Sequence, residues 1–455
     1  MKANKRTLSL IFLLLVLQTA CATPQNAGPA YTSTPTQAPA SATPTQAQPT
    51  PSERPATDAP IPTVTPPRLA TATPGNTGIL TTLDTSVEIP VCVGAGEPAG
   101  EPGAAELQGT LVYQPEQFAE LKALERPGPA EITIAEHVLA PLGFSPNGEW
   151  FAYVPDSASS GSVRDLKEFS VVLISKQGET RTTAVDAQNL AGDLWSEEHF
   201  GEIGSNHWIN NDLLYITFEA WFTYQNLASF IDNYPAVLDP FSGLWRPDLL
   251  EDLPAGYLYD PFDFSPDLKR ALYFGSPSGV MLQDLAGQKT LWQDDDFGSY
   301  GSELAISEID WSPDGSQAVV SGVRQSTYER IIYLVTKNGL LLEIIGGTDT
   351  PVSYFWPAYF RWSPNGQYLA MYDTSSHEIF ILDTISSRYI LRCPLRAAQN
   401  QAYDFVWSPH NDALLYGSWG EKLRLLELES GQTYELKQGG MPAGWVEDFQ
   451  FGEGQ

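Results

Sequence analysis

Long apolar runs are nearly absent from this chain of 455 residues; the one unbroken stretch is Leu10 to Leu17, too short for a spanning helix with proper flanks. Basic residues are scarce as well. Lys and Arg total 25 against 55 Asp and Glu, for a formal net charge of −30. Such an acidic body repels phosphate backbones, which excludes nucleic acid as a partner. The five histidines show no H-E-x-x-H or comparable spacing, so no metal or cofactor is expected. The nucleophile elbow G-x-S-x-G is missing: GFSPNG and FGSPSG fall short, and their serines belong to turns. Asp294 to Asp296 lacks the spaced oxygens and glycine of a calcium loop, and no Ser-x-Asp-x-Gly-x-Thr-Trp box occurs. Carboxylates for glycoside cleavage could face one another, but among 55 acidic residues no pair stands out. No catalytic motif is legible.

What is present begins with Lys2, Lys5 and Arg6, the apolar run, and small residues before Cys21, which is the pattern of an export signal over residues 1–20. The ending resembles a bacterial lipoprotein signal. Leu17 and Ala20 fit the box, and Gln18 stands where that family prefers an aliphatic residue. The resemblance implies a lipidated Cys21 and an extracytoplasmic, membrane-anchored protein; ordinary secretion is the alternative. Residues 21–80 are Thr, Pro, Ala, Gln and Ser, with too little apolar surface to offset the entropy of ordering. They read as a tether reaching on the order of 150 Å. A leader, 81–105, follows. With Cys21 assigned to lipid, Cys92 and Cys393 remain as an even pair suited to one long-range disulfide.

The rest of the chain repeats one sentence. Aligned on an aromatic anchor, it reads GFSPNGEWFAYV at Phe144, NHWINNDLLYITF at Trp208 and FDFSPDLKRALYF at Phe264. DWSPDGSQAVVSG at Trp311, RWSPNGQYLAMYD at Trp362 and VWSPHNDALLYGS at Trp407 complete the series. The anchors are 64, 56, 47, 51 and 45 residues apart, about one four-stranded propeller blade each. Ser-Pro-Asp-Gly suits a tight type I turn, and alternating apolar residues flank it as strands. The aromatics are expected to pack between neighbouring sheets. The unit resembles the TolB-type propeller repeat, over about 350 residues: Trp311 to Gly315 matches fully, Phe264 loses the Gly, and Trp407 is read with His410 inserted. That resemblance implies an adaptor in an envelope assembly.

Asp448-Phe449-Gln450-Phe451 imitates an inner strand once more, with no outer strands after it. Three candidate strands, from Glu106, Gln117 and Ala130, precede the first anchor. The expected fold is therefore all-β, a seven-bladed β-propeller over 106–455, closed by pairing a C-terminal inner strand with N-terminal outer strands. The A–B and C–D turns are short, so long segments fall on the opposite face. They carry Trp195, Trp221, Tyr224, Tyr300, Tyr354 and Trp356, the candidate ligand-binding residues. Aromatics beside carboxylates suit sugar rings or a basic peptide; the alternative is that they fold their own loops into small cores. The expected function is a monomeric, non-catalytic adaptor for an envelope protein or extracellular glycan. The competing class is a polysaccharide hydrolase or lyase using central-channel carboxylates, and a purely structural spacer is a third reading.

Overall fold

A computed structural model describes residues 81–82, 88–94, 98–100, 102, 108–126, 131–156, 168–186, 199–224, 227–251, 262–275, 279–294, 297–298, 308–324, 330–339, 341–345, 359–373, 376–395 and 403–451. The strands run in chain order. First come β1 (Thr81–Thr82), β2 (Gly109–Gln114), β3 (Leu121–Arg126) and β4 (Glu131–Ala135). Blade I holds β5 (Val138–Phe144), β6 (Trp150–Pro155), β7 (Glu168–Ser175) and β8 (Thr180–Asp186). Blade II holds β9 (His199–Trp208), β10 (Leu214–Tyr224), β11 (Leu227–Asp239) and β12 (Leu244–Trp245). Blade III holds β13 (Phe262–Phe264), β14 (Arg270–Gly275), β15 (Gly279–Asp284) and β16 (Lys289–Asp294). After β17 (Phe297–Gly298), blade IV holds β18 (Glu308–Trp311), β19 (Gln317–Arg324), β20 (Arg330–Thr336) and β21 (Leu341–Ile345). Blade V holds β22 (Tyr359–Trp362), β23 (Tyr368–Asp373), β24 (Glu378–Asp383) and β25 (Arg388–Pro394). Blade VI holds β26 (Asp404–Trp407), β27 (Ala413–Gly417), β28 (Lys422–Glu427) and β29 (Thr433–Gly439). Blade VII joins both ends of the ring, in the order β30 (Met441–Val446), β2, β3, β4.

The seven-bladed, all-β architecture is as the repeat dictates, and the ring closes by antiparallel pairing of β2 with β30. The closing strand itself is a correction. It is Met441–Val446, not Asp448–Phe451, and its sequence, MPAGWV, carries a Pro and a Gly that hide it. Gly444 is required there: a Cβ on it would lie 2.5 Å from the Phe144 ring of the next blade. Phe449 and Phe451 fill the seam instead, with ring centroids 5.1 Å from Phe144 and 5.8 Å from Phe151 respectively.

Strand alternation puts successive side chains on opposite sheet faces, and both faces are covered. Seven apolar clusters result, one between each pair of neighbouring blades. Between blades IV and V, for example, Val319 and Leu334 meet Phe360, Trp362 and Leu369. The aromatic anchors sit in these layers, and the tryptophans also reach across them. The indole Nε1–H of Trp208 donates to the Gly143 carbonyl at 3.2 Å, that of Trp311 to Asp263 at 3.2 Å, that of Trp362 to Asp310 at 3.1 Å, and that of Trp407 to Arg361 at 2.9 Å. Each accepting carbonyl lies one residue before the preceding blade's anchor, so the bonds tie inner strand to inner strand.

The turn serines are structural. Ser312 is fully buried, and its hydroxyl bonds the Asp314 carboxylate at 2.7 Å and accepts from the Gln317 amide at 3.1 Å. The fourth turn position needs a positive φ, which is 64° at Gly315, 55° at Leu268 and 65° at Asn411. His410 is therefore no insertion. Ser408 bonds Ala413 five residues on, as Ser312 bonds Gln317, with His410 replacing the Asp and Asn411 the Gly.

The leader follows the outer edge of the ring. β1 pairs in parallel with β21, Val91 bridges Arg392, Val93 bridges Gln432 and Ala99 bridges Tyr434. Cys92 and Cys393 form a disulfide, with Cα atoms 5.1 Å apart.

Candidate functional site

Six repeat units share an inner-strand position one residue before the anchor. It holds Gly143, His207, Asp263, Asp310, Arg361 and Val406 in blades I to VI. Four consecutive blades thus place an ionisable side chain there, and Asp404 of β26 adds a fifth from blade VI. In the pleat these residues alternate with the anchors, and in the innermost strand of a propeller they stand beside the central channel.

The side chains meet across blade boundaries. His207 Nε2 lies 3.1 Å from Asp263 Oδ1, and Arg361 Nη2 lies 3.3 Å from Asp404 Oδ1. Asp263 is almost completely buried at 1% exposure, while the His207 side chain keeps 28%. Backbone donors fix Asp263: Oδ1 accepts from the Phe264 amide at 2.7 Å and Oδ2 from the Trp311 amide at 3.2 Å. The Phe405 amide holds Asp404 in the same way at 2.8 Å. Tyr215 stacks on the His207 ring at a centroid distance of 5.0 Å and 28° between planes.

These neighbours separate the proton affinities of the group. Burial pushes the Asp310 carboxyl up to about 6; the nearby charges of His207 and Arg361 oppose the rise and that of Asp263 adds to it. Burial pulls the His207 imidazole down, but the charge and hydrogen bond of Asp263 and the charge of Asp310 outweigh it and Arg361, so its pKa lies above the ordinary histidine value. A carboxylate, an imidazolium and a guanidinium within electrostatic reach of one another can take a proton, give a proton and hold negative charge. Among the described residues, no group of three or more His, Cys, Asp or Glu is arranged to hold a metal ion.

The aromatic residues expected to bind a ligand are placed differently. Trp221 and Tyr224 belong to β10, not to a loop: the segment AWFTYQNLASFIDNYP continues the antiparallel pairing of β10 with β11 from Ala220 opposite Ile231 to Tyr224 opposite Leu227. Its aromatic and β-branched residues, among them Trp221, Phe222, Thr223, Tyr224, Phe230 and Ile231, favour strand over loop. Trp195, Tyr300, Tyr354, Trp356 and Cys21 lie outside the described residues.

No family model matches the chain, and no curated protein matches it. Among solved structures it is similar to a periplasmic gluconolactonase of Pseudomonas aeruginosa, at 12% identity and a TM-score of 0.43, over 73% of this chain and 97% of that one. It is also similar to a putative 6-phosphogluconolactonase of Bacteroides fragilis, at 12% identity and a TM-score of 0.41, over 76% and 99% of the two chains. The expectation of a non-catalytic adaptor is corrected at this point. The inner strands hold an acid–base group that a passive adaptor does not need. Sequence reasoning weighs His207 only as a metal ligand and does not single out Asp263, Asp310 or Arg361, although each stands beside an aromatic anchor.

Proposed function

We propose that this protein is a hydrolase whose active site is the inner-strand group His207, Asp263, Asp310 and Arg361, acting on a carbohydrate-derived ester or lactone. One observation carries the reading: four consecutive blades put ionisable groups at a position that blades I and VI fill with Gly and Val. Above about pH 6 Asp310 is a carboxylate and takes a proton from the attacking water. The water oxygen bonds the carbonyl carbon, and Arg361 holds the negative charge that develops on the carbonyl oxygen. His207, kept protonated by Asp263, gives its proton through Nδ1 to the leaving oxygen as the C–O bond breaks. Base and acid are both in their working states between about pH 6 and the raised pKa of His207.

The names of the two similar structures choose the first compounds to offer, aldonolactones with and without a phosphate; cell-wall and extracellular polysaccharides are the second set. Acid release from a lactone, or reducing ends from a glycan, lost in Asp310→Asn and Arg361→Met with the fold retained, supports the reading. Binding without turnover across both sets overturns it. The finer identity follows the sequence: a TolB-type repeat protein exported by residues 1–20, lipidated at Cys21, and held outside the membrane on its tether to meet extracellular glycans. Mass spectrometry of the mature N-terminus tests this, and an unmodified or absent Cys21 contradicts it.

A further inference from the structure

We propose that the leader and its disulfide form a tension shunt, which carries a pull on the N-terminal segment into blade V and keeps it off β2, the strand by which the chain enters the ring. The ring closes where β2 pairs with β30, over Thr110 opposite Val446 to Gln114 opposite Met441, with a register shift between Val112 and Tyr113. The chain enters the ring at β2 itself, so a pull arriving along the backbone would act on that pair directly.

Before it reaches β2, however, the chain is fastened three times to the rim. β1 lies on β21 of blade IV. At blade V the Cys92 amide donates to the Arg392 carbonyl at 2.9 Å, and the Arg392 amide donates to the Pro90 carbonyl at 2.9 Å. At blade VI the Val93 amide donates to Gly431 at 2.7 Å, and the Thr433 amide returns to Val93 at 2.9 Å. The covalent fastening stands within this path: Cys92 is bonded to Cys393 on β25, 301 residues away in sequence, and both are buried in the layer between blades V and VI. A pull from the N-terminal side passes from Cys92 to Cys393 and enters a strand packed on both faces. Residues 93–392, which include β2 and blades I to IV, lie within the loop that the bond closes and bear none of it.

Mechanical unfolding of the full chain held by its two ends tests the proposal. With the disulfide intact, only the part after Cys393 lengthens among the folded residues, by on the order of 200 Å. After reduction, or in Cys92→Ser, the whole ring is released, on the order of 1,200 Å. The same long release from both forms overturns the shunt. Hydrogen exchange without force separates it from a plain stabilising role. In Cys92→Ser, amides of the leader at Cys92 and Val93 lose protection while those of β2 and β30 keep theirs; equal loss at the seam overturns the proposal.

Discussion

Blades I and VI differ from blades II to V at one position, and the difference separates folding from chemistry. Gly143 and Val406 occupy the residue before the anchor in the first pair; His207, Asp263, Asp310 and Arg361 occupy it in the second group. Parts of the surrounding construction are shared. The Gly143 carbonyl accepts a tryptophan N–H at 3.2 Å just as that of Asp263 does, and the turn after Trp407 keeps the bonding pattern of the turn after Trp311. A neutral or apolar side chain therefore satisfies the fold at this position, and the burial that raises the Asp310 pKa is a cost the fold alone does not require.

Making blades II to V resemble I and VI should remove function first. Asp310→Asn is expected to lower kcat/KM by about 10²–10⁴, the usual contribution of a general base, with circular dichroism unchanged. Arg361→Met should lower it by about 10²–10³, mostly in kcat, because its charge is used chiefly in the transition state. Stability should move the other way. The folded-state pKa of Asp310, about 6, lies above its ordinary 3.8, so the proton stabilises the folded form. That contribution is full below about pH 3.8 and is lost as pH rises through 6. Asp310→Asn should accordingly gain up to about 3 kcal/mol above pH 7 and nothing below pH 4, as read from denaturant unfolding at both pH values. The smallest effect belongs to the shared construction. Trp407→Phe, which copies the anchors of blades I and III, should cost about 1 kcal/mol for its bond to the Arg361 carbonyl and leave activity within twofold.

Much of the fold was legible because its instructions are local. Each Ser-Pro-Asp-Gly unit fixes its own turn through side-chain bonds such as Ser312 to Asp314, and the anchors stand one blade apart. The closing strand was not legible, because MPAGWV has a poor strand composition and is held by long-range pairing with β2, while Phe449 and Phe451 imitate the repeat and serve the seam as core. Trp221 and Tyr224 read as loop residues in the sequence because blade II is longer than its neighbours: β10 has 11 residues where β14 has 6. The candidate site was spelled out in the quoted repeats and still passed over. Aspartate beside an aromatic anchor carries no signal by itself in so acidic a chain; the signal is the column His, Asp, Asp, Arg across four units, visible once the units are stacked in register.

The central claim is tested most directly by the pH dependence of kcat/KM for the full chain on the first lactone or glycan it turns over. With Asp310 as base and His207 as acid, the profile is a bell whose rising limb lies near pH 6 and is absent from Asp310→Asn, with its falling limb above the ordinary histidine value. A profile that Asp310→Asn leaves unchanged would contradict the claim.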